Sequence, residues 1–179
     1  MTMYLSFFIK IWYNDKVKRG FIMNVKIRTI LMNAMLTCIY AVLTFICAPF
    51  SYGAIQFRLA EILMFLTFYN RRFIPGLVIG CLLANAFSPM GIYDVIFGTL
   101  ATLLTCLSFT RISHLWMGVC LGALFNGIIV GAELYFLLDL PFLLNAGYVF
   151  IGEVFVLMIG AGVFKVLEKN QVFMKIYMN

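Results

Sequence analysis

The chain runs in long apolar stretches broken by short polar ones, without the residue-by-residue alternation of a half-buried or barrel strand. Backbone groups in hydrocarbon must be satisfied within their own segment, so stretches of this kind predict membrane helices. Windows judged against a hydrocarbon core of about 30 Å and a rise of about 1.5 Å per residue fall near residues 27–48, 59–69, 73–87, 94–110, 115–138 and 143–166. The second and third are short. Asn70, Arg71 and Arg72 separate them, and Pro75 sits in the first turn of the third, where a missing N–H costs little. Joined, they would form one overlong span with two adjacent arginines at membrane depth. The expected fold class is an all-α membrane protein, a bundle of six transmembrane helices.

Composition agrees with lipid as the solvent. Hydrophobic residues make up 64% of the 179 positions and charged ones 11%, a balance no water-soluble surface could accommodate. The segments 24–170 read as a single transmembrane domain, with residues 1–23 as an N-terminal extension and 171–179 as a cytoplasmic tail. The apolar start at 1–12 precedes its basic run and lacks a small-residue cleavage site, so it does not read as a signal peptide; MNVKIR, from Met23, reads as an ordinary cytoplasmic lead into a first span.

The net charge of +6 is a topology signal rather than a nucleic-acid one. Lys and Arg crowd toward the chain ends and the loops at 70–72 and 111–114, leaving Arg58 apart. With six spans these regions share one side, which the positive-inside rule makes the cytoplasm of a bacterial cell. The five cysteines, Cys38, Cys47, Cys81, Cys106 and Cys120, lie singly in apolar segments with no C-x-x-C spacing, and His114 is in a basic loop. They read as small fillers, and neither a metal nor a cofactor is expected.

An ionisable residue inside a span is by default a functional candidate. Glu61, Asp94, Glu133, Asp139 and Glu153 all fall in the outward half or at outward helix ends, and Gln56, Arg58 and Asn85 share that level, with Asn126 deeper. Such a set predicts an outward-facing, net acidic pocket among aromatics, suited to a flat ligand rich in hydrogen-bond donors. Structural roles compete for several members. Arg58 and Glu61 are three apart and could pair with each other. Asp94 has the position of an N-cap, Asp139 that of a solvated turn residue, and Asn85 could bridge helices. Glu133 and Glu153 have no basic residue within a helical turn. Asn126, seven residues before Glu133, projects from the same face about 10 Å away in depth. A buried carboxylate without a cation must be protonated or meet a ligand donor, and the ligand is the reading favoured here.

Three G-x-x-x-G pairs (Gly76 and Gly80, Gly118 and Gly122, Gly127 and Gly131) predict close helix packing. Ala34, Thr37, Cys38 and Ala41 form a small-residue stripe on the first helix that suits either a partner helix or an internal one. No G-x-x-x-x-G-K-[ST] and no nucleophile–base or metal cluster is present, so neither a self-contained ATP-driven pump nor an enzyme is expected.

The segments QFRLAE (56–61), IPGLVIGCLLAN (74–85), DVIFGTLATLL (94–104), VGAEL (130–134) and IGEV (151–154) resemble the QueT-type queuosine-precursor transporters, over about residues 24–166. Members of that family are substrate-binding S components of energy-coupling factor (ECF) transporters. The resemblance implies capture of a 7-deazaguanine, such as queuine or 7-aminomethyl-7-deazaguanine, and docking on a transmembrane coupling protein driven by two ABC ATPases. That fits the pocket read from the polar positions, whose candidate substrate contacts are Glu133, Glu153, Asn126, Asn85, Gln56, Arg58, Glu61 and Asp94. A deazaguanine's adjacent ring N–H and amino group suit one carboxylate, and an aminomethyl cation suits another. S components often carry A-x-x-x-A on helix one for docking; this chain departs from it with Ala34-x-x-x-Cys38 and Thr37-x-x-x-Ala41. The alternatives are an S component for another vitamin-like heterocycle and a self-sufficient proton-coupled carrier.

Overall fold

The computed structural model describes residues 25–48 and 57–177, and all regular elements among them are helical. In chain order they are α1 (Val25–Ile46), α2 (Leu59–Tyr69), α3 (Ile74–Asn85), α4 (Ile92–Phe109), α5 (Leu115–Leu138), α6 (Phe142–Leu167) and the short α7 (Gln171–Tyr177). The chain divides into two compact units, Met1–Leu31 and Met32–Asn179. Of the first, only the opening of α1 is described; the packing below belongs to the second.

Helices α1, α4, α5 and α6 are long and apolar enough to cross a membrane. The chain is therefore multi-pass. The 12 residues of α3 rise only about 18 Å at 1.5 Å each, and α2, with its 3₁₀ start, only about 20 Å, so both fall short of a full crossing by length. A separate turn at Arg71–Phe73, with the Asn70 side chain accepting from Arg72 N, divides them where the sequence places the break. Helix α3 ends at Asn85 because the backbone then coils through turns to Gly91, whose φ of 58° lies in the left-handed region glycine tolerates. Helix α4 starts at Ile92, two residues before the expected start. Its N-cap is Gly91, which corrects the reading of Asp94 as the cap: Asp94 stands inside the first turn with its side chain buried.

The interior is organised around glycine contacts. A Cβ at Gly76 would come within 2.6 Å of Asn33 Oδ1 and 2.8 Å of Asn33 Cα, so α1 and α3 touch backbone to backbone. Asn33 uses that approach to cap α3 from outside the helix. Its Oδ1 accepts from Gly76 N at 2.7 Å and its Nδ2 donates to Arg72 O at 2.9 Å, while Thr37 Oγ1 donates to Gly76 O at 2.8 Å. Of the small stripe on α1, Thr37 thus serves internal packing, Ala34 and Cys38 are exposed, and Ala41 is half-buried.

Gly118 of α5 and Gly160 of α6 make room for Phe65 of α2, whose ring centroid lies 4.9 Å from that of Phe109 and 5.9 Å from that of Phe164. Gly127 and Gly131 let α5 close on Ala146 and Phe150 of α6. Beyond α6, the Asn170 side chain accepts from Val172 N and Phe173 N, turning the tail into α7.

Candidate functional site

The first seven residues of α2, Leu59–Phe65, form a 3₁₀ helix. At three residues per turn, positions 61 and 64 eclipse one another, and with the N-cap residue Arg58 they are all buried, at 3% or less exposure. This local winding carries a guanidinium and a carboxylate into the interior together. From α4, Asp94 Oδ1 comes to 3.8 Å of Arg58 Nη2, an ion pair too long for a hydrogen bond. Gly98, one turn further along α4, leaves the space that Arg58 Nη1 and Asn85 Nδ2 occupy, since a Cβ there would come within 3.0 Å and 2.5 Å of them.

Asn85 at the end of α3 donates to Asp94 O at 3.0 Å and fixes the start of α4. Asn126 of α5 donates to Glu61 Oε2 at 2.8 Å and to Gly122 O at 3.2 Å. Glu153 of α6 lies beside Glu61, and Glu133 of α5 lies beside Asp94. Seven of the residues singled out by sequence therefore converge: Arg58, Glu61, Asn85, Asp94, Asn126, Glu133 and Glu153. Gln56 lies outside the described residues. Asp139 stands apart, exposed at the C-cap of α5 in a left-handed conformation with φ 52°. Arg58 has its closest carboxylate contact with Asp94 and Glu61 its hydrogen bond with Asn126, while the i, i+3 pairing considered for Arg58 and Glu61 persists as a charge interaction without a direct contact.

Sequence reasoning missed the floor of this cluster. Tyr40 of α1, 2% exposed, faces Cys81, Glu61 and Arg58. Cys81 Sγ accepts from Thr102 Oγ1 at 3.1 Å and from Asn85 Nδ2 at 3.3 Å. In sequence Tyr40 and Cys81 are ordinary members of apolar helices. The available signal was register: Tyr40 lies seven residues after Asn33, on the α1 face that packs against α3.

The chemistry of the cluster follows from its unmatched atoms. Both carboxylate oxygens of Glu133 and of Glu153, together with Glu61 Oε1, Asp94 Oδ1 and Asn126 Oδ1, are buried without a hydrogen-bond partner among the described residues. So are all three nitrogens of Arg58. Two ionised carboxylates only accept, so Glu133 beside Asp94, or Glu153 beside Glu61, can satisfy each other only by sharing a proton. Leaving such groups buried and unbonded costs on the order of 1–3 kcal/mol each, more when charged. The arrangement is complementary to a small molecule carrying several donors and at least one acceptor. Among the described residues no set of His, Cys, Asp and Glu is grouped to hold a metal ion.

Comparison with known proteins places these residues in context. The model of a family described as QueT transporter matches residues 30–169. A curated protein of Lactococcus lactis subsp. cremoris (strain MG1363), "Queuosine precursor transporter QueT", is 35% identical over 153 residues, covering 76% of this chain and 90% of that protein. No solved structure matches the chain.

Proposed function

Because this chain belongs to the QueT transporter family, we propose that it captures a queuosine precursor of the 7-deazaguanine class in the buried cluster between α2, α4, α5 and α6. It is a transport protein of the membrane and not an enzyme. The observation that carries the substrate reading is the set of donor-less carboxylates: Glu133 and Glu153 are 0% and 1% exposed, and none of their oxygens meets an N–H or hydroxyl donor among the described residues. A deazaguanine supplies the missing donors as a ring N–H beside an amino group, which one carboxylate accepts as a bidentate pair, and as the amine of a 7-aminomethyl substituent, which a second accepts. Glu133 and Glu153 are assigned these two edges. Glu61, Asn126, Asn85, Asp94 and Arg58 complete the site.

The chain works as the S component of an ECF-type importer, in which residues 24–170 form the substrate-binding domain and six segments, α2 and α3 included, make the bundle. Energy comes from a coupling protein and two ABC ATPases, since the chain carries no nucleotide-binding motif. Ala34, Cys38 and Ala41, which are exposed or half-exposed on α1, offer the docking stripe. The basic loops and both termini face the cytoplasm.

The test is thermal unfolding of the purified chain against 7-aminomethyl-7-deazaguanine, queuine, guanine and unrelated vitamins. A ligand of the folded state at a hundred times its Kd stabilises by about 2.7 kcal/mol. A shift with the deazaguanines alone is expected, and no shift with any of them overturns the proposal. Uptake into proteoliposomes by the chain without partners would make it a self-sufficient carrier instead.

A further inference from the structure

The unmatched atoms are not all acceptors, and the exception assigns a residue. Arg58 is 3% exposed, its Nε, Nη1 and Nη2 have no hydrogen-bond partner among the described residues, and its nearest carboxylate oxygen, on Asp94, stands 3.8 Å away. A guanidinium kept in the interior merely to balance carboxylates should take up a bidentate, fork-to-fork geometry with one of them. Here four carboxylates, those of Glu61, Asp94, Glu133 and Glu153, are gathered in the same cluster. Even so, Arg58 forms only the single long contact. Helix α4 also yields room at Gly98, where any side chain would crowd Arg58 Nη1. The fork is held, charged and left with its donors unspent.

We propose that Arg58 is the specificity residue for the ligand's acceptor edge, donating to the carbonyl oxygen of the six-membered ring while the carboxylates take its donors. This rests on the deazaguanine reading above and deepens it. A 7-deazapurine has lost the ring nitrogen that would pair with that carbonyl in a guanine, so the carbonyl is the acceptor left on that edge. Asp94 is a positioning residue: its carboxylate holds the guanidinium in place from one side. The site then recognises a ring that is a donor on one edge and an acceptor on the next. A ring with an amino group in place of the carbonyl would set donors against Arg58 and be rejected.

The experiment compares 7-deazaguanine with its 6-thio analogue by titration calorimetry on the full purified chain. Sulfur keeps the ring N–H and the amino group as donors but is a weaker acceptor, so the edge assigned to Arg58 is the one weakened, and the paired variant separates that loss from the other effects of sulfur. The unmodified chain should bind the oxo compound about tenfold or more tighter, the worth of a charge-assisted hydrogen bond. The paired variant Arg58→Met with Asp94→Asn, which removes both charges together, should reduce that ratio to about threefold or less. Asp94→Asn alone keeps the fork but removes the carboxylate that positions it, and should give a ratio between those two; a ratio equal to that of the unmodified chain takes the positioning role from Asp94. Equal affinity of the unmodified chain for the two compounds overturns the inference without any variant, which covers a paired variant that does not fold. An undiminished ratio in the paired variant overturns it as well. Failure of the unmodified chain to bind either compound overturns the deazaguanine reading itself, and this inference with it.

Discussion

Replacing Glu133 or Glu153 with Gln should make the ligand-free protein more stable and the ligand weaker bound. Each carboxylate is buried with both oxygens lacking a donor, and each stands beside a second carboxylate, Asp94 for Glu133 and Glu61 for Glu153. Glu→Gln keeps the shape, removes an uncompensated charge and supplies an N–H to the neighbouring carboxylate. Those changes should raise ligand-free stability by about 1–3 kcal/mol. Binding should move the other way. An amide presents a donor to the ligand's donors and has lost one acceptor, so affinity should fall by about 2–4 kcal/mol, roughly 30- to 1,000-fold. Opposite signs are what distinguish a functional carboxylate from a structural one. Thermal unfolding of the ligand-free protein gives the first quantity, and calorimetry with 7-aminomethyl-7-deazaguanine gives the second. Lower stability with unchanged affinity, in both variants, would mean these carboxylates hold the fold together and the ligand binds elsewhere.

Gly76→Ala and Gly131→Ala should each destabilise by about 1–3 kcal/mol, because the new methyl meets backbone of Asn33 and of Ala146 that cannot rotate away; Gly162→Ala, with nothing within 4 Å, should not, and equal melting temperatures for all three would refute the close helix contacts. Ala41→Trp should leave ligand binding intact and abolish ATP-dependent uptake by the assembled importer, since a bulky side chain on the half-exposed face of α1 keeps a partner helix away; normal uptake would remove that face from the docking surface. A single cysteine introduced at Arg71 on a cysteine-free background should react with a membrane-impermeant reagent only from the cytoplasmic side, and labelling of intact cells there would invert the topology.

The helices were legible because their cause is local. Hydrocarbon demands long apolar segments, and Asn70, Arg71, Arg72 and Pro75 break them where the polar cost would be greatest. Pairings were not legible, because they depend on how far apart the helices stand. The spacing of Arg58 and Glu61 suggests a mutual ion pair, and the two do interact through their charges, but the closest contacts come from α4 and α5, which bring Asp94 to one and Asn126 to the other. Asp94 followed a loop and preceded an apolar run, the pattern of a cap; Gly91, with its positive φ, starts the helix earlier and turns Asp94 from a boundary residue into an interior one.

A sequence also cannot say which polar residues inside a bundle are already satisfied, and that distinction separates scaffold from site. Asn33, Thr37 and Asn85 look as functional in sequence as Asn126 does, but their hydrogen bonds anchor the framework: Asn33 and Thr37 bond the start of α3, and Asn85 bonds the start of α4 and Cys81 of its own helix. They fix where helices begin. Asn126 divides its capacity, giving its amide to Glu61 and Gly122 and leaving its carbonyl oxygen unbonded beside the carboxylates. Glu133 and Glu153 reach only a second carboxyl group, and Arg58 has no hydrogen bond among the described residues. Polar groups in the protein interior that are anchored cost little and define geometry, whereas groups held by that geometry with nothing to bond are costly until something else supplies the partner. The gradient from Asn85 through Asn126 to Glu133 runs from framework to recognition surface, and it is why the binding loss expected at Glu133 should exceed any seen at Asn126, whose amide already has a protein partner.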